Sequence, residues 1–151
     1  MMTRTARRMR VRPRLVAMAG RDPLSASGVA VYRHFPREVF SVRALDGPDK
    51  GRVLAHGTEL GLRGAQMVVN ETARCKIAAG SPKGVHAWIT GTLGPVTLED
   101  PVRITYRPRE RGVFFVAETG QPVHQAAAVA FLGTHVFVDG TDLAANGWTP
   151  R

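Results

Sequence analysis

The sequence lacks most of the features that mark common enzyme, secreted and membrane proteins. Its only cysteine is Cys75, so no disulfide can form within the chain and cysteine usage does not indicate an oxidising compartment. No apolar run approaches the roughly 18 residues that a membrane-spanning helix needs. The five histidines are scattered without the spacing of a zinc site, and no phosphate-binding or nucleophile-elbow motif occurs. We therefore expect no metal, no cofactor and no membrane partner.

Acidic side chains are missing from the first 21 residues, which contain seven arginines and carry a charge of +7. The other 130 residues contain 14 basic and 12 acidic side chains, a charge of +2. The basic character of the chain thus lies at its start. We predict a basic arginine-rich arm over residues 1–26 and a single β-rich globular domain over residues 27–151, which is long enough to bury its own core and to fold without the arm.

Arginine, rather than lysine, supplies the charge of this arm. Guanidinium groups contact phosphates in pairs of hydrogen bonds and stay charged when they are partly dehydrated. The alternatives for the arm are an organelle transit peptide, which the absence of serine from the first 24 residues disfavours, and a solubilising leader with the true start at Met9 or Met18. The predicted nucleic-acid contacts in the arm are Arg4, Arg7, Arg8, Arg10, Arg12 and Arg14.

A second basic segment, residues 103–111, places four arginines around one aromatic residue beside a predicted strand. Alternation along a strand puts Arg103 and Arg107 on one face, where they could follow phosphates, and Tyr106 on the other. The alternative is a solvated turn in which Glu110 pairs with a neighbouring arginine. The predicted contacts of this segment are Arg103, Tyr106, Arg107, Arg109 and Arg111.

The rest of the chain carries mainly β signals, and we predict a small barrel or sandwich. Strands are predicted at 38–44, 52–56, 85–93, 102–106, 113–117 and 134–138, and Gly57, Gly61 and Gly64 are expected to divide residues 57–69 into short strands. Residues 123–132 fit a helix or a strand, and the flanking turns favour a strand. One short helix is predicted at about 71–79, capped by Asn70 and closed by Gly80.

A weak internal repeat relates residues 51–64 to 120–133 at a constant offset of 69. Its matched pairs are Leu60 with Val129, Leu62 with Phe131, Met67 with Val136 and Val69 with Val138. The repeat predicts two related three-stranded units, at about 39–69 and 113–138, around the inserted helix. Chance similarity between two glycine-punctuated hairpins is the alternative.

Five short segments resemble a family of small proteins that phages and mobile elements encode: S-V-R (41–43), G-R-V-L-A-H (51–56), G-V-H-A-W-I-T-G-T-L (84–93), I-T-Y-R-P (104–108) and G-Q-P-V-H (120–124). The resemblance covers about residues 31–138 and leaves the arginine-rich arm outside. It implies a phage or mobile-element setting and assigns no role to any residue.

One enzyme class has to be considered. His56-Gly-Thr58 has the form of one half of a two-histidine phosphoesterase site, whose mechanism needs a second such motif as its acid or base partner. The second copy would lie at His124, but Ala126 lacks the required hydroxyl and the repeat sets Gln125 against His56. We therefore expect no catalytic residues, and we keep this enzyme only as a remote alternative.

The sequence thus predicts a non-enzymatic nucleic-acid-binding protein, cytoplasmic or within a virion, that uses its arginines on the RNA or DNA backbone. Two further roles suit an arginine-rich arm. One is a virion or assembly protein that contacts neighbouring subunits, and the other is a phage adaptor or inhibitor that docks on a host nucleoprotein.

Overall fold

The fold is mainly β, as predicted. The computed structural model describes residues 8–34, 38–80 and 85–146. Its elements are β1 (Met9–Val11), β2 (Arg14–Ala17), β3 (Val29–His34), β4 (Val39–Ala44), β5 (Val53–Val69), α1 (Glu71–Ala78), β6 (Ala87–Leu93), β7 (Val96–Leu98), β8 (Pro101–Tyr106), β9 (Phe114–Val116), β10 (Pro122–Val123), β11 (Gln125–Leu132), β12 (His135–Asp139) and a 3-10 helix (Gly140–Asn146).

Four antiparallel strands close into a first ring. The first half of β5 pairs with β4 and its second half pairs with β6, while β3 lies between β4 and β6. One long strand therefore begins and ends the ring, and the connection from β5 to β6 contains α1.

A second ring repeats this topology later in the chain. Strand β8 lies between β9 and β12, β9 pairs with β10, and β12 pairs with β11. Only His124 separates β10 from β11, so together these two strands take the place that β5 has in the first ring. The predicted barrel-like architecture with two related units is thus present, and each unit has four strands rather than three and extends beyond the predicted bounds.

The two rings join along β5 and β11, whose register matches the repeat seen in the sequence. Gly61 pairs with Ala130, the residue 69 positions later, so a local two-fold relation centred on this pair exchanges the two strands. Leu60 accordingly pairs with Phe131, and Leu62 with Val129. The equivalence ends at Gly133, where β11 turns back into β12 while β5 continues past the matching Gly64. Val136 and Val138, which the repeat matched to Met67 and Val69, therefore lie on β12 and not on a continuation of β11.

The predicted breaks at the glycines of β5 are wrong, because the strand runs unbroken for 17 residues. These glycines allow close packing instead of turns. A Cβ atom at Gly57 would lie 2.5 Å from the carbonyl oxygen of Arg14, and one at Gly61 would lie 2.7 Å from that of Gly94. Gly64 has a φ of +58°, and it lies where the pairing with β6 shifts register.

The main hydrophobic core lies between the rings, with buried side chains from both. Phe40 of the first ring and Phe131 of the second meet edge to face, with ring centroids 4.9 Å apart. A smaller core lies on the opposite face of β11, where Val11 and Leu98 pack against Ala130. The two-stranded sheet of β1 and β7 supplies this smaller core and covers that face.

Part of the basic segment is built into the sheets. Within the predicted arm, Met9–Val11 pairs with β7 and Arg14–Ala17 pairs with the first half of β5. Val11 is only 1% exposed. The predicted boundary near residue 26 therefore does not coincide with a gap in the packing, because β1 and β2 contact strands of the body.

Helix α1 forms where the sequence predicts it. The side chain of Asn70 accepts a hydrogen bond of 3.1 Å from the backbone N–H of Ala73, and Gly80 ends the helix with a φ of +108°. None of its residues is buried. Within residues 8–34, 38–80 and 85–146, no helix is long and apolar enough to cross a membrane.

Candidate nucleic-acid interface

The N-terminal arginines lie on the outer face of an edge strand. Met9 and Val11 point toward the smaller core, so the alternating Arg8, Arg10 and Arg12 are exposed. Alternate residues of a strand lie about 6.8 Å apart, and β1 therefore presents a row of three guanidinium groups. Arg4 and Arg7 of the predicted site lie outside the described residues.

Arg8 in this row and Arg14 beside it already have acidic partners. The Nε atom of Arg8 lies 3.1 Å from Oε2 of Glu99, and that of Arg14 lies 3.2 Å from Oε2 of Glu59. The side chains of Arg8 and Arg14 are 56% and 82% exposed, so each pair contributes little to stability. In the part of the chain that the structure describes, the guanidinium groups of Arg10 and Arg12 have no ion pair or hydrogen bond.

The second basic segment shows the same division of its arginines. Arg107 pairs with Glu110 at 3.6 Å, as the solvated-turn alternative expected. Arg111 donates a 2.7 Å hydrogen bond to the carbonyl oxygen of Gly120 and lies over the ring of Phe115, 4.6 Å from its centroid. Arg103 and Arg109 are exposed, and within the described ranges their guanidinium groups have no partner.

Helix α1 contacts the turn of this second basic segment through one of its arginines. Arg74 donates a 2.7 Å hydrogen bond to the carbonyl oxygen of Pro108 and forms an ion pair with Glu71. The hydrogen bonds from Arg74 lower the pKa of Glu71, and the same contact raises the pKa of Arg74. The turn that carries Arg107 and Arg109 is thus fixed to the first ring by a charged contact.

The two predicted segments meet at one groove. Arg10 of β1 and Arg8 just before it line this groove together with Arg103 of β8, which is distant from them in sequence. Its volume is about 1080 Å³, and Asp100 and Glu118 also line it. We call this groove the phosphate groove below.

A second groove, which we call the aromatic groove, lies between the two rings and has a volume of about 1110 Å³. Arg103 lines both grooves, and Arg107 and Arg109 line the aromatic one. Tyr106 stacks on Phe114 with ring centroids 5.0 Å apart, and the ring centroid of His86 lies 5.5 Å from that of Tyr106.

Tyr106 and Arg103 point to opposite faces of β8, as the alternation predicts. Ile104 is buried and Tyr106 half-buried, whereas Arg103, which precedes both, is exposed. Burial raises the pKa of Tyr106, so the phenol is neutral and can donate a hydrogen bond. Its hydroxyl is buried and makes no hydrogen bond to any residue that the structure describes.

Sequence reasoning missed half of the aromatic groove. Tyr32 and Arg33 of β3, Trp88 of β6 and His86 just before β6 line it, and none of them was predicted as a site residue. The motif G-V-H-A-W was visible in the sequence, but only the fold brings residues of β3, β6 and β8 to the lining of one groove.

His56, the histidine of the phosphoesterase-like motif, contacts a buried side chain of the neighbouring strand. Nδ1 of His56 lies 3.0 Å from the hydroxyl of Ser41, which pairs with His56 across β4 and β5. Ser41 is completely buried, so its hydroxyl does not face a substrate. His124 is exposed at the junction of β10 and β11. Among the described residues, no group of three or more His, Cys, Asp or Glu side chains could hold a metal ion.

The fold and the two grooves define a small β protein of two four-stranded rings with a basic, aromatic face. A family model described as the Mycobacterium phage L5 gene 82 protein matches residues 24–139, so the chain belongs to that phage family. The gene 82 protein of Mycobacterium phage L5 is 38% identical over 85 residues, which cover 55% of this chain and 68% of that protein. No solved structure matches the chain. The resemblance to a phage family that the sequence suggested is confirmed.

Proposed function

We propose that this protein binds nucleic acid through the phosphate backbone and that it does so without catalysing a reaction. The observation that carries the proposal is the meeting of two basic segments, distant in sequence, at one groove. Arg8 and Arg10 come from the N-terminal segment, and Arg103 comes from the eighth strand. Surface charge distributed at random would not be expected to bring arginines from two such distant segments to one groove.

The availability of the arginines supports the same role. Arg10, Arg12, Arg103 and Arg109 are exposed, and their guanidinium groups have no partner within the described residues. Phosphate contacts would therefore form without first breaking an ion pair. Backbone contacts of this kind give affinity that depends on charge and shape and falls steeply with salt, with no requirement for a particular base sequence.

The phage family fits this role without specifying it. Binding could serve the phage in the host cytoplasm or within a virion, and both settings supply RNA or DNA to a basic protein. The structural role in virion assembly and the adaptor role are separate proposals, and the following experiment distinguishes them from nucleic-acid binding.

The test is a purification with and without nuclease, followed by binding measurements. Full-length protein treated with nuclease and washed at high salt is run on a sizing column and then titrated into a fluorescent 20-base-pair DNA at 50 and 200 mM salt. We expect a single small species that binds the DNA, with affinity that falls at least tenfold between the two salt concentrations.

Three results would reject the proposal. The absence of binding at 50 mM salt, both to this duplex and to a single-stranded oligonucleotide, would remove the nucleic-acid role. Self-assembly of the nuclease-treated protein into large particles, with no affinity for DNA or RNA, would instead favour the assembly protein. A tight complex with host proteins that survives nuclease treatment, again without affinity for the oligonucleotide, would favour the adaptor.

A further inference from the structure

The aromatic groove has a composition that the phosphate groove lacks. Both tyrosines of the chain, Tyr32 and Tyr106, and one of its two tryptophans, Trp88, line it. In the phosphate groove the only aromatic residue among those described is Phe137. The aromatic side chains are thus concentrated at one of two adjacent grooves of nearly equal volume.

The rings in the aromatic groove are partly accessible. Tyr32, His86, Trp88 and Tyr106 are all half-buried, whereas large apolar side chains of the core between the rings, such as Phe131, are fully buried. A half-buried ring in a groove leaves part of its surface for contact with another planar group. Core packing alone does not account for this exposure.

The charge around these rings is strongly positive. Arg33, Arg103, Arg107 and Arg109 line the groove, and Glu110 is the one acidic residue among the described residues that line it. The phosphate groove has three arginines and two acidic residues by the same count of described residues. The aromatic groove therefore matches a ligand that is planar and apolar in one part and anionic in another.

We propose that the aromatic groove binds unstacked bases of a single-stranded nucleic acid, with its arginines on the adjoining phosphates. This inference rests on the proposed function and narrows its ligand to single strands. In a duplex the faces of the bases are covered by their neighbours, whereas a single strand can stack its bases on aromatic side chains. Stacking of this kind tolerates any base and is combined with a basic path for the backbone.

The experiment uses the tryptophan in the groove as its reporter. The chain has two tryptophans, so Trp148→Phe leaves Trp88 as the only one. This variant is titrated with a dT12 oligonucleotide, with a 12-base-pair duplex and with polyphosphate, which has charge but no bases. We expect dT12 to quench the fluorescence of Trp88 and to bind at least tenfold more tightly than the duplex, and polyphosphate to leave the fluorescence unchanged.

Substitutions provide the second measurement. Trp88→Leu and Tyr32→Leu keep an apolar side chain but remove a stacking surface, and each should weaken dT12 binding by about 5- to 150-fold. Leu132→Ala, which shortens an exposed apolar side chain outside both grooves, is the control and should leave the affinity for dT12 within twofold. If Trp88→Leu fails to fold, Tyr32→Leu and the fluorescence of the Trp148→Phe variant still decide the question.

The outcomes separate this inference from the proposed function. Equal affinity for dT12 and the duplex, with unchanged Trp88 fluorescence, would overturn the single-strand inference and leave backbone binding intact. Equal weakening by Leu132→Ala and Tyr32→Leu would also overturn it. No binding of either oligonucleotide would reject the proposed function together with the inference.

Discussion

The two basic segments look alike in sequence, yet the fold secures them in different ways. The N-terminal segment consists of the two short strands β1 and β2, anchored by the buried Val11 and the partly buried Leu15. The segment at 103–111 follows a central strand, and polar contacts from Arg74 and Arg111 fix its turn.

In each segment, some arginines serve the fold or pair with acids while others are exposed without a partner among the described residues. The number of arginines in a segment therefore does not show how many guanidinium groups are available to a ligand, whereas the contacts of each group do.

The largest loss of DNA affinity is expected when the exposed arginines that have no partner among the described residues lose their charge. Substitution of Arg10, Arg12, Arg103 and Arg109 by Gln should reduce the affinity for duplex DNA by several hundredfold or more at 50 mM salt. It should also lower the slope of log K against log salt by about 3 to 4, because each lost phosphate contact contributes about 0.9. Titrations at several salt concentrations measure both quantities.

The control for that variant removes the same charge elsewhere. Gln at Lys50, Arg52, Arg63 and Lys76 also takes four charges from the formal net charge of +9, and all four residues are exposed outside both grooves. We expect this control to retain most of the affinity. Equal losses in the two variants would mean that net charge alone drives binding.

The next effect concerns the anchor of the N-terminal segment. Val11→Ala removes two methyl groups from a side chain that is 1% exposed, and it should lower the free energy of unfolding by about 1–3 kcal/mol. Val16→Ala is the matched control in β2, where the side chain is 77% exposed, and should change stability by less than about 0.5 kcal/mol. Urea denaturation measures both, and an unaffected Val11→Ala protein would show that β1 does not contribute to the fold.

A smaller effect is expected at the anchor of the second segment. Arg111→Gln loses the hydrogen bond to Gly120 and the contact with the ring of Phe115, and should lower the free energy of unfolding by about 1–2 kcal/mol. Arg109→Gln, two residues earlier, should leave stability unchanged and weaken DNA binding. The reverse pattern in thermal melts and titrations would contradict the assignment of these two arginines.

The smallest effect is a pH dependence at the contact between α1 and the second segment. The pKa of Glu71 is lowered in the folded protein by its hydrogen bond with Arg74, so the carboxylate stabilises the fold above its unfolded pKa and loses that contribution as the pH falls through its folded pKa. Glu71→Gln should therefore flatten the loss of stability below about pH 4.5. Urea denaturation from pH 7 to pH 3 measures this, and identical curves for both proteins would contradict it.

Local sequence signals predicted much of the fold. Asn70 and Gly80 mark the ends of α1, and the turn at 46–51 separates β4 from β5, because capping and turn chemistry act over a few residues. The repeat at an offset of 69 matched residues that lie on β5 and β11, although it did not predict that these two strands pair.

The parts of the fold that the sequence did not predict depend on interactions between residues that are distant along the chain. Strands β1, β2 and β7 are three or four residues long, and pairing with other strands rather than a local pattern defines them. The glycines of β5 read as breaks because their purpose, the close approach of Arg14 and Gly94, depends on the tertiary fold. The same reason explains why Tyr32 and Trp88 were not predicted beside Tyr106.

Chemical modification of arginines tests whether the two basic segments form one nucleic-acid-binding surface. The full-length protein is treated with phenylglyoxal in the presence and absence of a saturating oligonucleotide, and the modified positions are read by mass spectrometry. We predict that Arg10, Arg12, Arg103 and Arg109 become protected together, while the exposed Arg52 reacts equally in both samples. Protection of only one of the two segments, or equal protection of Arg52, would contradict a single binding surface formed by both.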